Sequence, residues 1–241
     1  MNVVLDKIDW SKIKAVIFDV DGTLYDQKKL RRKMLAELIR AYAAKPWRWK
    51  ELKILSDFRR ERERQVLLKT SGIEKAQFEW SARISGVTPE SVRAVVENWI
   101  YHAPLKHLYS VRYMGAAELF VALKEKGLMT AVFSDYPSIE KLAELKISPH
   151  FVFCATDKEI DRLKPDPRGL LVAVEKLGVS LGECLMVGDR DDRDGECARR
   201  AGMPYVIVEP DSVDNFYGLL YTMFQSSSFY FKEAPAICKE K

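Results

Sequence analysis

No stretch of this 241-residue sequence reaches the 18 or so consecutive apolar residues that a membrane-spanning helix needs. The opening "MNVVLDKIDW" has acids at Asp6 and Asp9 and no basic segment followed by a long apolar run, so it does not read as a secretion signal. Cysteine is scarce. Cys154, Cys184, Cys197 and Cys238 make no CxxC pair, and His102, His107 and His150 complete no zinc pattern. Cys154 and Cys184 lie in apolar runs, where a reduced core thiol is expected. Internal repeats and low-complexity linkers are also missing. What remains is 47% hydrophobic and 31% charged, enough apolar material for a proper core without disulfide staples. A cytoplasmic protein with no membrane partner is expected. Its length suits one ordinary domain, or a core with a smaller companion.

The net charge of +4 is unevenly spread. Residues 28–64 hold 14 Lys/Arg and 5 Asp/Glu, a balance of +9, which leaves −5 for the rest. That asymmetry points to an anionic ligand or partner for the basic part.

Short β-branched or continuous apolar runs mark strands at 15–19 ("AVIFD"), 128–134 ("LMTAVFS"), 151–155 ("FVFCA"), 184–189 ("CLMVGD") and 205–208 ("YVIV"). Helical patterns separate the late strands, at 112–127, 137–147, 166–178 and 192–202, with glycines 127, 178 and 202 placed as stops. Alternating strands and helices predict an α/β fold, a doubly wound parallel sheet with helices on both faces. Residues 28–110 break the alternation and read as helices only. One ends before Pro46, one runs over 49–70, and one starts with Thr88 as N-cap and Pro89 in its first turn. The expected division is an α/β core of residues 1–25 and 109–225, an all-helical cap of residues 26–108, and a tail of residues 226–241. The tail reads as loosely ordered, with Phe229, Tyr230 and Phe231 available to dock.

Ligands of open parallel sheets bind beyond the carboxyl ends of the strands. Here those ends carry Asp19, Ser134 and Asp189, with Lys164 just before a helix, up to 170 positions apart in the chain. Carboxylates gathered at one point repel unless a cation joins them, and a small all-oxygen set suits Mg²⁺. A metal beside a carboxylate and a lysine makes a phosphate site, in which Asp19 is placed to attack phosphorus. Gly22 permits a sharp turn. Loop N–H groups and the hydroxyls of Thr23 and Ser134 offer hydrogen bonds to phosphoryl oxygens.

The segment "DVDGTL" resembles the first motif of the haloacid dehalogenase-like hydrolase superfamily, matching at Asp19, Asp21, Gly22 and Thr23. Ser134, "KPDP" at 164–167 and "VGDRDDRD" at 187–194 resemble the second, third and fourth motifs, in order. The resemblance implies Asp19 as the nucleophile that forms an aspartyl-phosphate. It implies Asp21 as the acid that protonates the leaving oxygen and then the base that deprotonates water. Asp19, Asp189 and the backbone carbonyl of Asp21 would hold Mg²⁺. Ser134 and Lys164 would bind the phosphoryl group, and Asp194 would orient Lys164 or a metal-bound water. The helical insert is similar to the family's C1 cap, which closes over the site and selects the substrate. Arg190 and Arg193 stand where relatives often have serine and asparagine, and Gly169 precedes Leu170 after the third motif. These departures are expected to leave the chemistry untouched.

The resulting expectation is a Mg²⁺-dependent phosphatase of a small phosphorylated metabolite. Asp21 separates it from the dehalogenases of the superfamily, which lack an acid two places after the nucleophile. Two alternatives stand: a phosphomutase with the same residues, and a protein whose basic cap binds nucleic acid or a partner. Within the basic stretch, "FRRERERQ" (58–65) reads as a solvated helix face with local pairs Glu61–Arg64 and Arg59–Glu63. Arg31, Arg32 and Arg48 are candidates to reach a substrate. Trp47 and Trp49 are expected to pack between cap helices.

Overall fold

Each of the five strand-forming runs is short and apolar, and all five pair in parallel. In the computed structural model, which describes residues 8–66, 71–209 and 213–225, they are β1 (Ala15–Phe18), β2 (Met129–Ser134), β3 (Phe151–Cys154), β4 (Cys184–Gly188) and β5 (Tyr205–Ile207). Their order in the sheet is β3-β2-β1-β4-β5. Phe18 is in register with Val132 on one side and Val187 on the other. Side chains of a strand alternate between its two faces, and this sheet has a core on each. Val16 and Phe18 join Val132, Leu185 and Val187 on one face. Ala15 and Ile17 join Ala131, Phe133, Cys184 and Met186 on the other. A sheet buried on both sides explains why the strands read as continuous apolar runs rather than alternating ones.

Helices α6 (Ala116–Glu125), α7 (Ile139–Leu145) and α10 (Val213–Gln225) cover the first face, through residues such as Phe120, Leu142 and Phe216. Helices α8 (Arg168–Leu177) and α9 (Glu196–Ala201) cover the second, through Leu170, Ala173 and Cys197. Gly169 is required there, because a Cβ at that position would strike the ring of Phe133. The sequence reading did not identify α10. Its Tyr217 hydroxyl donates to the carbonyl of Thr23 at 2.6 Å and so braces the loop after β1.

Between β1 and β2 the chain is helical: α1 (Gln27–Ala44), α2 (Lys50–Gln65), α3 (Ile73–Ser85), α4 (Pro89–Val96), a wider π-type turn at Glu97–His102, and α5 (Leu105–Leu108). Asp26 caps α1 by accepting from the Lys29 N–H at 2.8 Å, and Thr88 caps α4. Helix α3 was also missed by the sequence reading. With α2 and α4 it builds a third hydrophobic cluster, in which Phe58 and Phe78 stack at 5.8 Å. In contrast, α1 sends Leu30 and Met34 into the core on the sheet.

Two expectations for the basic stretch are corrected. Residues 58–65 are not a uniformly solvated face: Phe58, Glu61 and Arg62 are buried. The Glu61–Arg64 pair forms at 3.3 Å, but Glu63 turns away from Arg59 to Arg190 and Arg193. Trp47 and Trp49 are exposed rather than packed between helices, with the Trp49 indole N–H donating to the Tyr42 carbonyl. Cys154, Cys184 and Cys197 are free, buried thiols. No helix among the described residues is long and apolar enough to cross a membrane. The tail and Cys238 lie outside the described residues.

Candidate active site

From β1 the chain moves to β2 and β3 on one side of the sheet, then returns to β4 and β5 on the other. The crevice at that reversal is where such sheets bind ligands. Asp19 and Asp189 each follow directly on the two strands that flank it. Asp19 is anchored by its own N–H, which donates to the Val187 carbonyl at 2.8 Å. Gly22 turns the chain with φ +104°, and a Cβ there would strike a carboxylate oxygen of Asp189. Gly22→Ala is therefore expected to displace Asp189, cost about 1–3 kcal/mol of stability and lower activity. Thermal unfolding and phosphate-release assays check both effects.

Lys164 is the hub of the site. Its Nζ donates to Asp19 Oδ1 at 2.5 Å, Asp194 Oδ1 at 2.6 Å and the Phe133 carbonyl at 3.1 Å, which uses all three of its protons. Its backbone is also fixed. The Lys164 N–H donates to Asp135 Oδ1 at 3.0 Å, and its carbonyl accepts from Arg193 Nη1 at 2.5 Å. Arg193 bonds in turn to Glu63 of α2. The departures at 190 and 193 thus do reach the site. Arg193 clamps Lys164 and ties it to the helical insert, and the Arg190 N–H donates to Asp194 Oδ2 at 3.2 Å.

Asp21 has different partners. Lys141 grips both of its carboxylate oxygens, at 2.5 and 2.8 Å, and the Tyr25 hydroxyl donates to one of them. The sequence reading missed Lys141. A signal existed: a lysine in the first turn of a helix opposes the helix dipole and calls for a compensating anion. Ser134 is buried at the end of β2, and its hydroxyl accepts from the Tyr136 N–H at 3.2 Å. Thr23 donates to Asp19 Oδ2 at 3.2 Å from behind, fully buried. Of the residues singled out from sequence, Asp19, Asp21, Ser134, Lys164, Asp189 and Asp194 all line one cavity, of about 540 Å³. Thr23 is not on its wall.

Carboxylate oxygens of Asp19, Asp189 and Asp194 lie within 4.8 Å of one another. Burial pushes Asp19 well above the ordinary carboxylate range, and the charges of Asp194, Asp189 and Asp21 add to this against the opposing pull of Lys164. Burial and the Asp194 charge push Asp189 up to about 6. Burial alone would favour neutral Lys164, but Asp19 and Asp194 more than reverse that and hold it charged. The floor therefore gathers four carboxylates (Asp19, Asp21, Asp189, Asp194) against two ammonium groups, Lys141 and Lys164. The crowding of carboxylates and the all-oxygen donor set fit a divalent hard cation.

Similarity to known proteins agrees with this arrangement. The chain is 32% identical over 203 residues to glyceraldehyde 3-phosphate phosphatase of Methanopyrus kandleri, covering 81% of this chain and 84% of that one. It is 30% identical over 200 residues to a phosphoglycolate phosphatase of Xanthomonas campestris pv. campestris, covering 80% and 81%. The fold resembles those of the HAD-hydrolase YfnB from Bacillus subtilis (TM-score 0.62, 15% identity, 86% and 98% covered) and a 2-haloacid dehalogenase from Pseudomonas syringae pv. Tomato (TM-score 0.59, 17% identity, 88% and 99% covered). The profile of the haloacid dehalogenase-like hydrolases matches residues 13–202, a span that contains every acid of the site, and the chain belongs to that family.

Proposed function

We propose that the protein is a Mg²⁺-dependent phosphatase that hydrolyses a small phosphorylated metabolite through an aspartyl-phosphate on Asp19. The observation that carries this reading is the pair of acids with separate partners on one cavity: Asp19 on Lys164, Asp21 on Lys141 and Tyr25. A nucleophile needs no second acid unless a leaving oxygen has to be protonated. Relatives named as phosphatases, over four-fifths of the chain, support the same reading.

In this mechanism a carboxylate oxygen of Asp19 attacks phosphorus, and the leaving oxygen takes a proton from Asp21. Asp21 then removes a proton from water, which attacks the aspartyl-phosphate and releases phosphate. Lys164 and Ser134 hold phosphoryl oxygens, and Asp194 fixes Lys164. Asp19, Asp189 and the Asp21 carbonyl would hold Mg²⁺, which when bound supplies charge neutralisation at the phosphoryl group. Residues 26–108 act as a cap over a core of residues 1–25 and 109–225. Free buried thiols accord with a cytoplasmic setting. A screen of phosphorylated metabolites with Mg²⁺, read as released phosphate, tests the reading. No turnover of any phosphomonoester would sink it.

Lys141 sets the proton affinity of Asp21. Burial pulls Asp21 upward, but the Lys141 charge and the hydrogen bonds from Lys141 and Tyr25 together bring it below the usual carboxylate range. A phosphoryl dianion arriving beside it adds like charge and raises its proton affinity, which suits it to carry the proton. Lys141→Met removes the largest of these opposing influences and leaves burial. The limb of the kcat/KM profile governed by Asp21 is then expected to move to higher pH. An unmoved limb would remove Lys141 from this role.

A further inference from the structure

The cavity wall contains a buried cation that no step above uses. Arg62 of α2 is only 4% exposed and lines the cavity. Buried charges are normally paired with an opposite charge, yet both hydrogen-bond acceptors of Arg62 are neutral. One is the Gln77 side-chain oxygen, and the other is the backbone carbonyl of Asp135 at 2.6 Å. The guanidinium stacks over the rings of Tyr136 at 4.3 Å and Phe58 at 5.7 Å.

The acids of α2 are all engaged elsewhere. Glu51 holds Arg48, Asp57 holds Lys53 and Arg60, Glu61 holds Arg64, and Glu63 holds Arg190 and Arg193. Of the four arginines of this helix, Arg60 and Arg64 have carboxylate partners and stay off the cavity. Arg59 and Arg62 have none among the described residues, and both line it. Residues three apart on a helix are neighbours on one face. The two form a pair of cations facing the site, and Arg62 spends only two of its five donors on the protein.

Resting on the phosphatase reading, we propose that Arg62 and Arg59 bind a second anionic group of the substrate, a carboxylate or another phosphate. Such a site also limits the substrate's length. Arg62 touches the carbonyl of Asp135, which directly follows Ser134. Successive Cα atoms are about 3.8 Å apart, so the two anion sites lie on the order of 10 Å apart or less. The substrate is then a phosphomonoester whose second anion is a few bonds from the first.

The test uses the full chain with Mg²⁺ and three probes built on the same three-carbon chain: propyl phosphate, 2-carboxyethyl phosphate and propane-1,3-diyl bisphosphate. The readout is the ratio of kcat/KM for each anionic probe to that for propyl phosphate, with the two equivalent phosphates of the bisphosphate taken into account. Wild type is expected to favour at least one anionic probe by about tenfold or more, the size of a charge-assisted contact. Arg59→Gln and Arg62→Gln should each cut that ratio about three- to tenfold, chiefly through KM. A variant that only loosens the helical insert slows all probes together and keeps the ratio. A ratio near one in wild type, or one unchanged in both variants, overturns the proposal. Turnover of p-nitrophenyl phosphate separates the two failures. If wild type hydrolyses it while the ratio is flat, only the anion site is lost. If wild type hydrolyses neither it nor the three probes, the phosphatase reading has failed and takes this inference with it.

Discussion

Replacing Asp19 with Asn is expected to lower release of phosphate from p-nitrophenyl phosphate by about 10³-fold or more, with the fold intact. The amide keeps the shape of the side chain and loses its nucleophilic charge. Removing half of a buried ion pair usually destabilises a protein, because it strands the other charge. Here Lys164 is not stranded: Asp194 still accepts from it at 2.6 Å, and the Phe133 carbonyl at 3.1 Å. Burial and three neighbouring acids already weigh against the charge of Asp19. The metal-free variant should therefore unfold at a temperature no lower than that of wild type. Activity and thermal unfolding measured on the same sample separate a lost nucleophile from a lost fold. Full turnover in the variant would remove Asp19 from the nucleophilic role.

The second large effect concerns the cation. A ligand that binds only the folded state, at 100 times its Kd, stabilises it by about 2.7 kcal/mol. For a chain of this size that is roughly 5–10 °C in Tm. Mg²⁺ is expected to raise the Tm of wild type by that order, and Asp189→Asn to abolish most of the rise. Without metal, the order of stabilities should reverse. Burial and the charge of Asp194 penalise ionised Asp189 at neutral pH, so the neutral amide should be the more stable in metal-free buffer. A Mg²⁺ shift of equal size in both proteins would remove Asp189 from the metal site.

Much of this site was legible in the primary sequence because its residues sit where strands end. A run such as "AVIFD" announces both the strand and the acid that leaves it, and the same holds for "CLMVGD". The sheet order, which pairs β1 with β4, then brings Asp19 and Asp189 to neighbouring positions. The roles that escaped notice belong to long side chains on helices and turns. Lys141, Arg62 and Arg193 reach the site across gaps set by how α7, α2 and the turn after β4 pack. Helix α3 was overlooked because its polar face interrupts a short apolar pattern. Of its buried apolar residues, Phe78 and Ala82 pack with α2 and α4, while Ile73 joins the core on the sheet.

The sequence alone determined the order and type of the core elements as far as β5, the doubly wound sheet, and the identity of the acids and lysine that the proposed chemistry needs. Those follow from local periodicity and from the rule that ligands gather at strand ends. Only the tertiary structure decided which charges compensate which. Thr23 supports Asp19 from behind instead of facing the cavity, Glu63 serves Arg190 and Arg193 instead of Arg59, and Arg62 is buried beside Asp135 with neutral acceptors alone. Charge pairing depends on distances of a few ångströms between groups far apart in the chain, and one-dimensional spacing carries no such distances. For that reason the proposed reaction rests on the acids, while the proposed substrate class rests on the arginines that packing left without a carboxylate partner.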